Sequence, residues 1–122
     1  MTHPMPSFDS VTPRIPVPDI ESALTFYIDR LGFGLAWKWG DPLTHAGICR
    51  DSVSLDLIVV PAARQGTAMA YIRIDGVDAY YAELRARNVA VGDIADREYG
   101  LRDFEVRDPS GNRLAFGQPL QD

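Results

Sequence analysis

The stretch Glu98–Gly117, EYGLRDFEVRDPSGNRLAFG, decides how the rest of the chain is read. From Leu101 to Arg107 the residues alternate. Phe104 and Val106 fall on one side and Asp103 and Glu105 on the other, the pattern of a half-buried strand. Asp108-Pro109-Ser110-Gly111-Asn112 then turns the chain: aspartate bonds back to the turn backbone, proline pre-sets the first central φ, and glycine takes the left-handed position. Arg113 to Gly117 returns with Leu114 and Phe116 on one face and Arg113 and Ala115 on the other. The spacing predicts a hairpin with one apolar face and one face free for chemistry.

Working back from the hairpin, Val89 to Ile94 reads as a short extended piece, and Asp93, Asp96 and Glu98 as a solvated loop. Val77 to Arg87 is a helix with Val77, Tyr80, Tyr81 and Leu84 on one face, ended by Asn88, and Met69 to Ile74 is a strand. The first half repeats this order. Val11 to Val17 alternates as a strand, but Pro13 and Pro16 lack ladder donors, so it belongs at an edge or at a bulge. Asp19 suits a helix N-cap, with Ser22 a second candidate, and Ile20, Ala23, Leu24, Tyr27, Ile28 and Leu31 recur at helical spacing until Gly32. Phe33 to Trp39, His45 to Arg50 and Val53 to Val60 follow as strands. Asp19-Ile20 and Gly76-Val77 stand at matching strand-to-helix junctions, and Leu55-Asp56-Leu57 matches Leu114-Ala115-Phe116. The expectation is an α+β protein of two βαβββ modules with mixed sheets forming a cleft. A lead-in covers 1–10, the first module 11–60, a linker 61–68 and the second module 69–118.

Alternation divides each sheet into two faces. The helix-facing set, from Val11, Ile15 and Val17 through Leu55, Leu57, Ile72 and Ile74 to Phe104, Val106, Leu114 and Phe116, is apolar as a core should be. The opposite set includes Thr12, Arg14, Asp56, Met69, Tyr71, Arg73, Asp103, Glu105 and Arg113, and is polar with mixed charge. A merely solvated face would read the same way. Trp37 and Trp39 sit two apart and share one side of their strand, as a buried pair or as a ligand platform. Cys49 beside Ile48 reads as a small buried residue, since no base is paired with it.

Charge and composition narrow the function. The chain has 122 residues and a formal net charge of -5, which argues against a nucleic-acid partner needing a basic face. The balance leans instead toward a cationic small partner. One cysteine cannot form an internal disulfide, and no apolar run approaches a membrane span or a signal core, so the expectation is a cytoplasmic protein without a membrane partner.

Three segments carry a family resemblance: Val17-Pro18-Asp19-Ile20, then Phe26-Tyr27 with Leu31-Gly32-Phe33, then Phe104 to Leu114 (FEVRDPSGNRL). In this order they resemble the vicinal oxygen chelate superfamily, which groups glyoxalases, bleomycin resistance proteins and extradiol dioxygenases. The resemblance spans roughly Ser10 to Pro119 and implies the glyoxalase/bleomycin resistance fold. It also implies where metalloenzymes of the superfamily place their ligands, namely Thr12, Met69, Asp56 and Ala115 here. Threonine is a weak donor, and methionine and alanine do not suit a hard or borderline divalent ion, so no metal and no other cofactor is expected. Of the two histidines, His3 is in the tail and His45 on a middle strand. A metal-dependent lyase or oxidoreductase of the glyoxalase or dioxygenase type is the alternative.

The closer match is to bleomycin resistance proteins, through Asp29 to Phe33, Ala46 to Asp51, and Gly100 to Asn112. Those proteins look like dimers that sequester a cationic, planar antibiotic in acidic grooves between subunits. The resemblance therefore implies a homodimer binding a bleomycin-like or other aromatic antibiotic. Trp37, Trp39, Tyr71 and Tyr99 would supply stacking surfaces, and Asp56, Asp103 and Glu105 negative charge. Tyr71 and Tyr99 fall where those proteins carry tryptophans, and His45 where they carry phenylalanine. Two features depart from the pattern. The Val60–Met69 link is short, and Arg14 and Arg73 would repel a cation or clamp an anion instead.

Overall fold

Proline places the first strand at an edge. In the first half of the chain β1 is Arg14–Val17, β2 is Gly34–Trp39, β3 is His45–Arg50 and β4 is Val53–Val59. The computed structural model, which describes residues 5–121, orders them β1-β4-β3-β2. The strand carrying Pro16 is thus outermost, where a missing amide hydrogen costs no ladder bond. The strand is shorter than the alternation predicts. Pro13 contributes only its carbonyl, which accepts from the Asp56 amide at 3.0 Å. Val11, expected on the core face, is instead 83% exposed ahead of the strand. His3 lies outside the described residues.

Asp19 caps α1 (Ile20–Leu24): its carboxylate accepts from the Ser22 backbone N–H at 2.8 Å. A regular helix was expected to Leu31, but Thr25–Arg30 widens into a π-helical turn. The wider turn still keeps Tyr27 and Leu31 fully buried. Gly32 then reverses the chain at a φ of +80°, a conformation glycine adopts without Cβ strain.

The second half holds β5 (Met69–Arg73), α2 (Val77–Ala86), β6 (Ala95–Asp96), β7 (Leu101–Arg107) and β8 (Arg113–Pro119), ordered β5-β8-β7-β6. Each sheet pairs its first strand parallel to its last and the others antiparallel, so both are mixed. The α+β class and the paired mixed sheets agree with the sequence reading. The short β6 lies in the segment read as a solvated acidic loop, where Ala95 pairs with Asp103.

One apolar core runs through both halves. Tyr27, Leu31, Leu55, Leu57, Leu84, Phe104, Val106, Leu114 and Phe116 are all at most 2% exposed. Each such side chain contributes about 1.5–3 kcal/mol on burial. The Asp108–Asn112 turn clamps the halves together. Asp108 accepts from Tyr27 Oη at 2.9 Å and from the Ser110 and Asn112 amides at 2.9 and 2.8 Å. Asn112 Nδ2 reaches the Pro16 carbonyl at 2.9 Å, and its Oδ1 accepts from the Ala68 amide at 2.9 Å. Burial and the Asp108 carboxylate together push the Tyr27 hydroxyl far above the usual tyrosine range. The turn therefore holds the edge of the first sheet as well as the hairpin of the second.

Candidate ligand-binding site

With both helices and the core on one side of each sheet, the other side of each is open. On the first sheet, register aligns Arg14 with Asp56, Asp56 with Gly47, and Gly47 with Trp37. The neighbouring row joins Ile58, His45 and Trp39. A β-bulge at Ala36 produces this arrangement. Leu35 pairs with core-facing Ile48, yet Trp37, two residues on, pairs with Gly47 on the open face. The bulge therefore turns both tryptophans outward and sends Lys38 toward the helix, where its Nζ lies 3.8 Å from Glu21. The His45 ring meets Trp39 edge-on, with centroids 5.6 Å apart. Its Nδ1 lies 2.8 Å from the Thr44 hydroxyl.

The open face of the second sheet is built around Asp103, which is 5% exposed. Tyr71 donates to it at 2.8 Å, Tyr99 donates to the same oxygen, and Arg97 Nε donates to the other oxygen at 2.8 Å. Burial pushes the Asp103 carboxyl up, but the bonds from Tyr99, Arg97 and Tyr71 outweigh it and hold the group below its ordinary value. Tyr71 is pushed up to about 12 by burial and by the hydrogen bond it gives Asp103. Tyr99 is raised by the same carboxylate. Beside them Arg113 grips Glu105 through two bonds of 2.9 and 3.0 Å, which lowers the Glu105 carboxyl. A cavity of about 560 Å³ lies here, lined by Met69, Tyr71, Arg97, Tyr99, Asp103, Glu105, Arg113 and Ala115.

The predicted site residues thus divide between two faces. Arg14, Trp37, Trp39, His45 and Asp56 share the first, and Tyr71, Tyr99, Asp103 and Glu105 share the second. Arg73 lines a separate hollow of about 460 Å³ at the seam, beside Arg50 and Tyr80. The negative charge expected of Asp103 and Glu105 is already neutralised by Arg97 and Arg113. Among the described residues, Asp56, Arg14 and Arg73 have no ion-pair partner. Arg97 was missed because its neighbours read as an acidic loop; a lone arginine between Asp96 and Glu98 was the available signal.

The resemblance-derived ligand positions fall on separate elements of the chain. Asp56 is on the first sheet, Met69 and Ala115 line the cavity on the second, and Thr12 precedes β1. Among the described residues no three His, Cys, Asp or Glu side chains come close enough to share an ion. This donor set does not suit a divalent metal. Nor is any described helix long and apolar enough to cross a membrane.

Two mixed four-stranded sheets, backed by helices and each with an open face, define the fold class as that of glyoxalases and bleomycin resistance proteins. The chain belongs to the Glyoxalase/Bleomycin resistance protein/Dioxygenase superfamily, whose family model matches residues 7–116. The bleomycin resistance protein of Geobacillus stearothermophilus is 25% identical, over 89% of this chain and 96% of that protein. TnmS3, an antibiotic binding protein from Streptomyces sp. CB03234, superposes with a TM-score of 0.79 and 29% identity, covering 95% of this chain and 100% of its own. The bleomycin-binding protein of Streptomyces verticillus, solved with copper(II)-bleomycin, superposes at 0.80 with 26% identity, over 96% and 100%.

Proposed function

We propose that this protein sequesters a flat aromatic small molecule, such as a bleomycin-like or other aromatic antibiotic, without a metal, in clefts completed by a second copy of the chain. One observation carries the reading. Trp37, Trp39, Tyr71 and Tyr99 are 43%, 66%, 45% and 63% exposed, all on the open faces or their rims. Aromatic groups in that number, left in water by a single chain, mark a surface meant to be covered. The cavity over the second sheet is lined only by second-half residues. A homodimer that sets the first sheet of one copy over the second sheet of the other would bring both aromatic sets to one ligand.

The similarity to proteins that bind bleomycin and other antibiotics supports the ligand class, and the poor donor set supports binding without a metal. Titration with metal-free bleomycin, followed by Trp37 and Trp39 fluorescence, is expected to saturate. Light scattering alongside is expected to give the mass of a dimer. Fluorescence that never saturates with any flat aromatic probe would remove the sequestration reading.

A further inference from the structure

Two glycines interrupt the strands of the open faces without a positive φ to require them. Gly117 in β8 lies within a regular ladder, Gly47 in β3 pairs regularly with β4 but stands opposite the bulge of β2, and neither adopts the left-handed conformation that favours glycine. Glycine inside a strand costs stability through extra unfolded-state freedom and a missing side chain. What each position lacks is space. A methyl group on Gly47 would overlap the Trp37 indole, and its three nearest atoms all belong to that ring. A methyl group on Gly117 would overlap the Tyr71 ring and hydroxyl, and again nothing else is nearer. Gly34 on β2 offers the contrast, since a methyl there would meet only the Cys49 carbonyl at an ordinary 3.6 Å.

We infer that Gly47 and Gly117 are positioning residues of the ligand site: each seats one aromatic ring flat on its sheet, so that the cleft selects fused, planar ring systems over non-planar ones. The arrangement recurs once per sheet with different rings and different strands, and both rings keep nearly half their surface exposed. The hydroxyl end of the Tyr71 ring lies over Gly117, and its hydroxyl donates to Asp103. A ring lying flat presents its π-face outward, the geometry that stacking on a planar ligand requires. A Cβ at either glycine would lift the ring and tilt that face away. The ligand-selecting half of this inference rests on the sequestration reading; the ring-seating half does not.

The test is a pair of mutant cycles. In the free protein Gly117→Ala is expected to lower the melting temperature, and Tyr71→Ala in the same chain is expected to abolish that loss, because the clash has gone. Gly47→Ala is expected to behave likewise with Trp37→Ala. Acridine orange and anthraquinone-2-sulfonate, flat probes of opposite charge, are expected to bind Gly117→Ala and Gly47→Ala about tenfold more weakly, the worth of one lost aromatic stack. No further loss is expected when the seated ring is already alanine. Glycine variants that melt lower whether or not the ring is present overturn ring seating. Wild-type binding left unchanged by both glycine variants overturns the selection. If the wild type binds neither probe, sequestration of flat aromatics is wrong and selection falls with it, while the melting cycle still decides ring seating.

Discussion

The two sheets share a strand order, yet their open faces are held in opposite ways. On the first, Trp37 and Trp39 stand on a six-residue outer strand with few polar ties, and Arg14 and Asp56 face each other in register without an ion pair among the described residues. On the second, the outer strand shrinks to Ala95–Asp96, and the chain beyond it folds Arg97 and Tyr99 back onto Asp103. One scaffold thus carries a loosely held aromatic face and a tightly cross-linked one. Among the described residues, the charges left untied lie mostly on the first face.

Breaking the cross-link should give the largest effect. Asp103→Asn leaves Arg97 without its partner and weakens two tyrosine bonds, and is expected to cost about 2–3 kcal/mol in urea unfolding. Asp56→Asn on the untied face is expected to change stability by less than about 0.5 kcal/mol. Equal losses would show that the two faces are not held differently.

A second difference should appear on the ligand side. Trp37→Ala is expected to reduce the affinity of a flat aromatic probe about tenfold while the unfolding midpoint moves little. Tyr71→Phe keeps the ring but drops the bond to Asp103, and is expected to lower stability more than affinity. Calorimetric titration and urea unfolding of both variants separate the two outcomes.

Acid should sharpen the comparison further. Asp103 and Glu105 are held below their ordinary values, so they stabilise the fold at neutral pH. That contribution is lost as pH falls through the carboxylate range, below about pH 4. Asp103→Asn is expected to flatten this part of the stability–pH curve, and its curve should meet the wild-type curve at the acid end. Parallel curves would mean Asp103 is not a source of the acid sensitivity.

The smallest effect concerns ligand charge. Glu105 is already paired with Arg113, so Glu105→Gln is expected to leave the affinity of a cationic probe within about twofold. Asp56→Asn is expected to weaken it by about 1 kcal/mol or less, as for a partly exposed charge. A larger loss at Glu105 would reverse the ranking of the faces.

Much of this arrangement was legible in the chain itself. The Asp108–Asn112 turn, the Asp19 cap and the two alternating strands around the turn each state their structure locally, because turn chemistry and period-two alternation act over a few residues. Val11 misled because alternation continues through Pro13, whereas a ladder needs a donor that proline lacks. The pairing of Asp103 with Arg97 crosses from one strand to the segment beyond another; the lone arginine between Asp96 and Glu98 hints at an ion pair, but the local pattern does not name its partner.

The sequence by itself determined the element order and the apolar side of each sheet, and narrowed the proline-bearing strand to an edge or a bulge, since these follow from local conformational preference and periodic hydrophobicity. Only the tertiary structure decided which way the tryptophans face. Plain alternation puts Trp37 on the same side as Leu35, and the bulge at Ala36 reverses it. It likewise decided which charges are free and why Gly47 and Gly117 are glycines. Those properties depend on which side chains become neighbours across strands, and that is settled by register and packing.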